Sequence, residues 1–150
     1  MKIHHITVSA YAKSKDEAAK TREILKSILP ADTPIEDVAH EPETEGEVFT
    51  KELYEVKSHL ESQSQIKEFT SKIIRGLDEY DRTRTLERIS DHVDEDCNLY
   101  LRLSKTEAAG GNIVLENKDS IHVRIKIAAF PAKRDAAIEV ARRLIEDEIR

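Results

Sequence analysis

The most constraining feature of the sequence is the strict alternation over residues 121–129. Every second side chain is apolar, and the side chains between them include His122, Arg124 and Lys126. Successive side chains of a β-strand point to opposite faces of a sheet, so this pattern predicts a strand with one buried face and one face in water. The three polar side chains would stand in a row at intervals of about 6.6 Å, because each residue advances a strand by about 3.3 Å.

The stretch 97–150 around this strand is predicted to form an antiparallel β-meander that a final helix covers. Residues 98–104 also alternate, and 113–116 form a shorter apolar strand between two turns rich in Gly, Asn and Asp. Pro131 stands where the helix is expected to begin, since a proline in the first turn loses no hydrogen bond. Apolar residues then recur at helical spacing up to Ile145.

In the N-terminal half, strand-like and helix-like periods follow one another. The pattern predicts a strand over 3–12, a helix from the capping box Ser14-x-x-Glu17 to Pro30, a bulged strand over 48–60 and the longest helix from 62 to about 80. Residues 31–47 have turn chemistry and are expected to be an exposed connection. The apolar stripe resumes over 86–93, either as a bent continuation of the long helix or as a separate short helix.

The predicted element order is strand, helix, strand, one or two helices, three strands, helix. A sheet that is polar on one side and apolar on the other must bury its apolar side against helices. We therefore expect an α+β two-layer sandwich with a mostly antiparallel sheet. No linker or repeat divides the chain, so residues 1–150 are expected to form a single domain.

Charge and composition restrict the class of protein. The net charge is −6, which argues against a protein that coats nucleic acid indiscriminately, but ten of the acids lie within 31–64 and leave the rest slightly basic. There is one cysteine, no signal-peptide pattern at the start and no apolar run near the length of about 20 residues that a membrane span needs. We expect a cytoplasmic protein that does not associate with a membrane.

Four stretches of the sequence resemble a known protein family. The family consists of archaeal predicted RNA-binding proteins often labelled exosome subunits, and it is similar in fold to the large-subunit ribosomal protein that binds 5S ribosomal RNA. The resemblance follows the element order of nearly the whole chain and is densest from about Arg88 onward. The stretches that carry it are 94–105, Ala108-Ala109-Gly110-Gly111, 121–127 and Phe130-Pro131-Ala132-Lys133-Arg134.

Two family motifs are absent from the N-terminal part. Members usually have His-Ala-Thr-Glu after the first strand, where this chain has Ala12-Lys13-Ser14-Lys15. A Gly-His-x-Gly-Asn stretch before their second strand is represented here only by Gly46-Glu47-Val48. Any role of those two motifs is therefore not transferred to this chain.

The polar row on strand 121–129 is the best candidate site. If the meander pairs as predicted, two residues of strand 98–104 face the same side, where their aromatic and guanidinium groups can stack on unpaired bases while the cations bind phosphates. Such a row is equally typical of the solvent-exposed face of an ordinary antiparallel strand. The row is therefore either an RNA-binding site or a plain solvent face. Together with basic residues of the family-like stretches, the candidate RNA-binding residues are Tyr100, Arg102, Lys105, His122, Arg124, Lys126, Lys133 and Arg134.

Nothing in the sequence indicates catalysis, a cofactor or a metal. The run Asp94-Glu95-Asp96 could hold a hard cation but is explained more simply as an acidic turn, and Cys97 as a small buried side chain. His4 and His5 would point to opposite faces of a strand and could not share a metal. We therefore predict a noncatalytic RNA-binding protein, associated with the exosome, RNA processing or the ribosome. The alternative is a protein-interaction or homodimeric module that does not bind RNA.

Overall fold

The sheet is antiparallel throughout, and the first strand of the chain lies at its centre. The computed structural model describes residues 2–40 and 53–149. In that part of the chain the strand order is β2-β3-β1-β5-β4, and every neighbouring pair is antiparallel. The strands are β1 (Ile3–Ala12), β2 (Ile35–His40), β3 (Leu53–Leu60), β4 (Asn98–Ser104) and β5 (Ser120–Ile127).

The helices bury one face of this sheet. Inner side chains such as Val8, Leu99 and Val123 share one apolar core with Leu25 and Phe69 of the helices. The predicted α+β two-layer sandwich is confirmed. The helices are α1 (Lys15–Ile28), α2 (Gln63–Gly76), α3 (Glu79–Glu87), α4 (Lys105–Ala109) and α5 (Arg134–Glu148), with a 3-10 helix at Ile89–His92. None of the helices in the described ranges is both long and apolar enough to cross a lipid bilayer.

Helix starts follow the capping chemistry of the sequence. The predicted capping box is present, since the Ser14 hydroxyl accepts a hydrogen bond from the amide of Glu17 at the start of α1. The long helix ends at Gly76, and the Asp78 carboxylate caps α3, so the stripe over 86–93 belongs to separate short helices. Of the two alternatives for that stripe, the bent continuation is wrong. The last helix begins at Arg134, three residues later than expected from Pro131.

The prediction that residues 31–47 form only a connection is wrong. Residues 35–40 form β2, an edge strand in which Ile35 alone is buried. A strand with so little buried surface has no apolar alternation, and its sequence therefore lacked the usual signal. The segment 41–52 lies outside the described residues, and so does the start of the predicted strand 48–60. From Tyr54 onward β3 pairs with β1 in regular register, without the predicted bulge.

The three-strand meander is also wrong. β5 pairs directly with β4, while 113–116 runs along the outer edge of β4 and makes only an isolated bridge between Leu103 and Leu115. Between these segments the chain forms α4, in which the Ser104 hydroxyl accepts a hydrogen bond from the amide of Glu107. Ser104 is thus the side-chain N-cap of α4, and the helix turns the chain away from the sheet directly after β4.

Candidate nucleic-acid interface

The face of the sheet turned away from the apolar core is called the open face here. On β5 it carries Arg124, which is exposed, and His122 and Lys126, which are half-buried, whereas the residues between them are buried. The alternation predicted from the sequence is therefore confirmed. The open face also carries the outer side chains of β1, β3 and β4, as the pairing of the strands requires.

The register of β4 and β5 places the candidate residues of the two strands side by side. Tyr100 lies opposite Arg124, and Arg102 lies opposite His122. Directly opposite residues of an antiparallel pair have their Cβ atoms about 4.5–5.5 Å apart and on the same face. The expectation that Tyr100 and Arg102 share a face with the row on β5 is confirmed. We call these two residues, His122, Arg124 and Lys126 the cationic half of the open face.

The two arginines of this half are available for ligands. Within 2–40 and 53–149, neither Arg102 nor Arg124 forms an ion pair with a carboxylate. Lys126 is partly engaged, because its ammonium group donates a hydrogen bond to the backbone carbonyl of Asp96. Tyr100 is 37% exposed, so its ring is accessible from solvent. The guanidinium groups can therefore bind phosphate without first breaking an ion pair.

Histidines from three strands adjoin the cationic half. The rings of His5 on β1 and His59 on β3 are 4.9 Å apart between centroids, and His122 meets the ring of Tyr11 edge-on at 6.3 Å. Burial lowers the pKa of His5, and the neighbouring His59 and Arg124 lower it further. Burial and then the charge of Arg102 lower the pKa of His122. The imidazoles of His5 and His122 are therefore held in the neutral form near pH 7 and become cations as the pH falls.

The other half of the open face, on β2 and β3, carries two acids, and both are paired. Glu36 lies 4.0 Å from Lys57, and Glu55 lies 3.4 Å from the imidazole of His40. The charge of Glu55 also raises the pKa of Tyr11. Both acids belong to the acidic segment 31–64, whose residues 41–52 fall outside the described chain. The paired charges of the open face thus lie on β2 and β3, on the side away from the two arginines of the cationic half.

Three of the predicted site residues lie elsewhere. Lys105 is 6% exposed, and its ammonium donates to the Tyr11 carbonyl at 2.9 Å and to Glu17 at 3.4 Å, because α4 turns it inward. Arg134 donates from Nε to the Val93 carbonyl at 2.9 Å and stabilises the end of the 3-10 helix. Lys133 is exposed at the start of α5. The structure therefore does not bring Lys105 or Arg134 into the open face.

A cleft that the sequence did not reveal borders the cationic half. It has a volume of about 620 Å³ and lies between α3 and the 3-10 helix on one side and β4 with residues 115–117 on the other. Tyr100 and Arg102 line both the cleft and the open face. The new lining residues Tyr80, Arg84 and Arg88 recur every four positions, a helical spacing that could have been recognised in the sequence.

The acidic run before β4 has a structural explanation. The Asp94 carboxylate accepts hydrogen bonds from the amides of Asp96 and Asn98, each at 2.9 Å. Burial opposes ionisation of Asp94, but these hydrogen bonds outweigh it and keep the pKa of this carboxyl below its usual value. Nowhere in 2–40 or 53–149 do three His, Cys, Asp or Glu side chains come together in a way that could hold a metal ion.

Known proteins resemble this chain over almost its full length. A family model described as RNA binding matches residues 5–127. The RNA-binding protein PAB1135 of Pyrococcus abyssi is 31% identical over 150 residues, which cover 99% of this chain and 97% of that protein.

Two solved structures have the same fold. The crystal structure of protein AF2318 from Archaeglobus fulgidus has a TM-score of 0.82 at 26% identity, over 95% of this chain and 99% of that one. Mth689, a DUF54 protein from Methanothermobacter thermautotrophicus, has a TM-score of 0.77 at 27% identity, over 97% of this chain and 99% of that one.

Proposed function

The chain belongs to the protein family described as RNA binding, and we propose that it binds single-stranded RNA on the cationic half of the open face without catalysing a reaction. The observation that carries the proposal is the pairing of Tyr100 with Arg124 and of Arg102 with His122 on one accessible face. Aromatic rings that stack on bases beside cations that bind the backbone are the usual chemistry of single-strand binding.

Geometry supports a single strand as the ligand. Alternate residues of β5 repeat at about 6.6 Å, close to the separation of neighbouring phosphates along an extended strand. An open sheet face can also contact unstacked bases, which are hidden inside a duplex. Arg124 and Lys126 would bind phosphates, and Tyr100 would stack on a base. Glu36 and Glu55 would repel the phosphates of an RNA strand that crosses β2 and β3, which favours a path over β4, β5 and the adjoining part of β1.

The proposal is tested with a charge-reversed site and a matched control. Arg124→Glu with Lys126→Glu changes the net charge by −4, and so does Lys15→Glu with Lys20→Glu on the exposed side of α1. Fluorescence anisotropy with a labelled single-stranded RNA should show salt-sensitive binding for the parent and the α1 variant and none for the β5 variant. Each lost phosphate contact lowers the slope of log K against log salt by about 0.7. Equal affinities of the two variants would refute the site.

Assembly with protein is the other function this face can serve. A homodimer or a protein partner that covers Tyr100 and Arg102 would leave the RNA titration flat while sedimentation showed a larger species. Sedimentation of the parent with and without RNA therefore separates the two functions. Binding of RNA by a monomer supports the RNA-binding proposal, whereas a stable dimer that does not bind RNA supports the assembly module.

We also infer a cellular setting for the RNA. The resemblance of stretches 94–105 and 121–127 to proteins labelled exosome subunits supports a role beside RNA processing or ribosome machinery in the cytoplasm. Co-purification of the full chain from native cells, with and without ribonuclease, tests this part. Exosome or ribosomal components that depend on intact RNA are the expected result, and their absence from both samples would contradict it.

A further inference from the structure

We propose that the cleft beside β4 binds one or two unpaired nucleotides of the same RNA strand, with a base against Tyr80 and Arg84. The inference rests on the proposed function and extends it to a second site. The cleft begins where the cationic half of the open face ends, since Tyr100 and Arg102 line both surfaces. An RNA strand bound on β5 and β4 would therefore reach the cleft without having to pass over a raised part of the protein surface.

The size and shape of the cleft suit nucleotides. Its volume of about 620 Å³ lies within the range of about 300–1,000 Å³ that is usual for small-molecule sites. One side is the exposed flank of α3, where Tyr80, Arg84 and Arg88 follow one another at one-turn spacing. The other side is the edge of β4.

The ring of Tyr80 is already arranged for stacking. It is 64% exposed, and the Arg84 guanidinium lies 5.6 Å from its centroid. Arg84 also donates a hydrogen bond to the Tyr80 hydroxyl at 2.8 Å, which fixes the two side chains relative to each other. An aromatic ring and a guanidinium plane held side by side offer two stacking surfaces to a base. Neither Arg84 nor Arg88 has a carboxylate ion-pair partner among the residues that the structure describes.

The charges of the cleft favour a base over several phosphates. Its three arginines are balanced by Asp81, Asp91 and Glu116. Two of these acids are partly occupied, because Asp81 accepts a hydrogen bond from the Leu115 amide at 3.1 Å and Glu116 accepts one from the Asn117 amide at 3.0 Å. A mixed set of donors and acceptors complements the edge of a base, which also presents both.

Several contacts hold the cleft open before any ligand arrives. The His92 imidazole hydrogen-bonds the Tyr100 carbonyl at 2.9 Å and joins the 3-10 helix to β4. At the end of α2, a Cβ added to Gly76 would lie 2.7 Å from Cγ1 of Ile113, so glycine allows the segment that precedes the 115–117 wall to pack closely. A preformed site loses less entropy on binding than one that must first be ordered.

The experiment uses the absence of tryptophan from the chain. Tyr80→Trp places a single tryptophan in the cleft of the full-length protein, and its fluorescence can be excited apart from that of the tyrosines. Titration with a labelled single-stranded RNA of about 12 nucleotides, within the range of about 4–16 that a single-strand site covers, gives two signals at once. We expect tryptophan quenching at the same RNA concentrations that raise the anisotropy of the labelled RNA. Tyr80→Ala and Arg84→Ala should weaken binding by about 5- to 100-fold, since each stacked base contributes substantially.

Controls keep the two proposals apart. Tyr80→Phe keeps the ring and should bind almost as well as the parent, and Arg143→Ala removes a charge from the exposed side of α5 and should change little. If anisotropy reports binding while the tryptophan signal is constant and Tyr80→Ala binds normally, the cleft inference is wrong and the proposed function stands. If no RNA binds, both are wrong.

Discussion

Arg124 on β5 lies directly opposite Tyr100 on β4, so a guanidinium and a phenol ring stand side by side on the open face. Both side chains project away from the core. Their pairing gives the face the two chemistries that an unpaired RNA strand requires, a cation for phosphate and a ring for a base. The predictions below depend on this pair and on its neighbours.

Replacement of Tyr100 by Ala should weaken RNA binding by about 1–3 kcal/mol, because a stacking surface is lost. Tyr100→Phe should retain most of the affinity, since stacking needs the ring more than the hydroxyl. Anisotropy titrations at one fixed salt concentration measure both variants. An affinity of Tyr100→Ala equal to that of the parent would mean that the ring does not contact RNA.

RNA binding should tighten as the pH falls from 7.5 to 5.5. His5 and His122 have pKa values below the ordinary 6.5 in the free protein, and a nearby phosphate would stabilise their protonated forms. The size of the change in affinity should depend on the charged groups that face the two histidines. His5 faces His59, Arg124 and Lys126. His122 faces Arg102 and Glu55. A double variant, His5→Gln with His122→Gln, should lose most of this pH dependence. Titrations at several pH values test it, and an affinity that stays constant in the parent would contradict it.

The free protein should become less stable over the same pH range. A histidine whose folded pKa is lowered binds fewer protons than it does in the unfolded chain, so protonation below pH 6.5 favours unfolding. The two neutral histidines make their full contribution to the free energy of unfolding above pH 6.5. That contribution is lost as the pH falls toward their pKa values in the folded protein. Thermal melts should show a falling midpoint that flattens in the His5→Gln and His122→Gln variant. A midpoint that rises on acidification would show that the sign is wrong.

Lys105→Met should destabilise the fold without affecting RNA binding. The substitution leaves the Tyr11 carbonyl without its donor and removes the ammonium beside Glu17, each of which lies within 3.4 Å of Nζ. Loss of a partner by a buried polar group costs about 1–3 kcal/mol, and the partly exposed Glu17 should keep the cost near the lower end. Urea unfolding measures the loss. A variant with parental stability but weakened RNA binding would return Lys105 to the site.

The sequence predicted the parts of the fold that bury apolar side chains in a regular period. The alternation of β1 and β5 and the stripes of α1, α2 and α5 reflect burial of one face, and burial leaves a periodic pattern. β2 buries only Ile35 and leaves no such pattern, so it was missed. The segment 113–116 has strand-like residues, but it stays at the edge of β4, because pairing depends on tertiary contacts that a local pattern does not contain.

In the candidate site, too, the sequence predicted only the residues that belong to a regular periodic pattern. Tyr100, Arg102 and the row on β5 follow from strand periodicity and from one correct pairing. Lys105 and Arg134 were misplaced, because the N-cap at Ser104 and the late start of α5 redirect their side chains into hydrogen bonds with the backbone. The cleft arises where α3 meets β4, more than ten residues apart in sequence, and no local pattern describes such a junction.

Photochemical crosslinking tests the central claim most directly. A single-stranded RNA containing 4-thiouridine, irradiated with the full-length protein and followed by mass spectrometry of the peptides, reports which residues contact bases. Crosslinks should concentrate on Tyr100 and the neighbouring residues of β4 and β5, and they should disappear in the Arg124→Glu and Lys126→Glu variant but persist in the Lys15→Glu and Lys20→Glu control. Crosslinks confined to the exposed sides of α1 and α5, unchanged by reversal of the charges on β5, would contradict the proposal that the open face binds RNA.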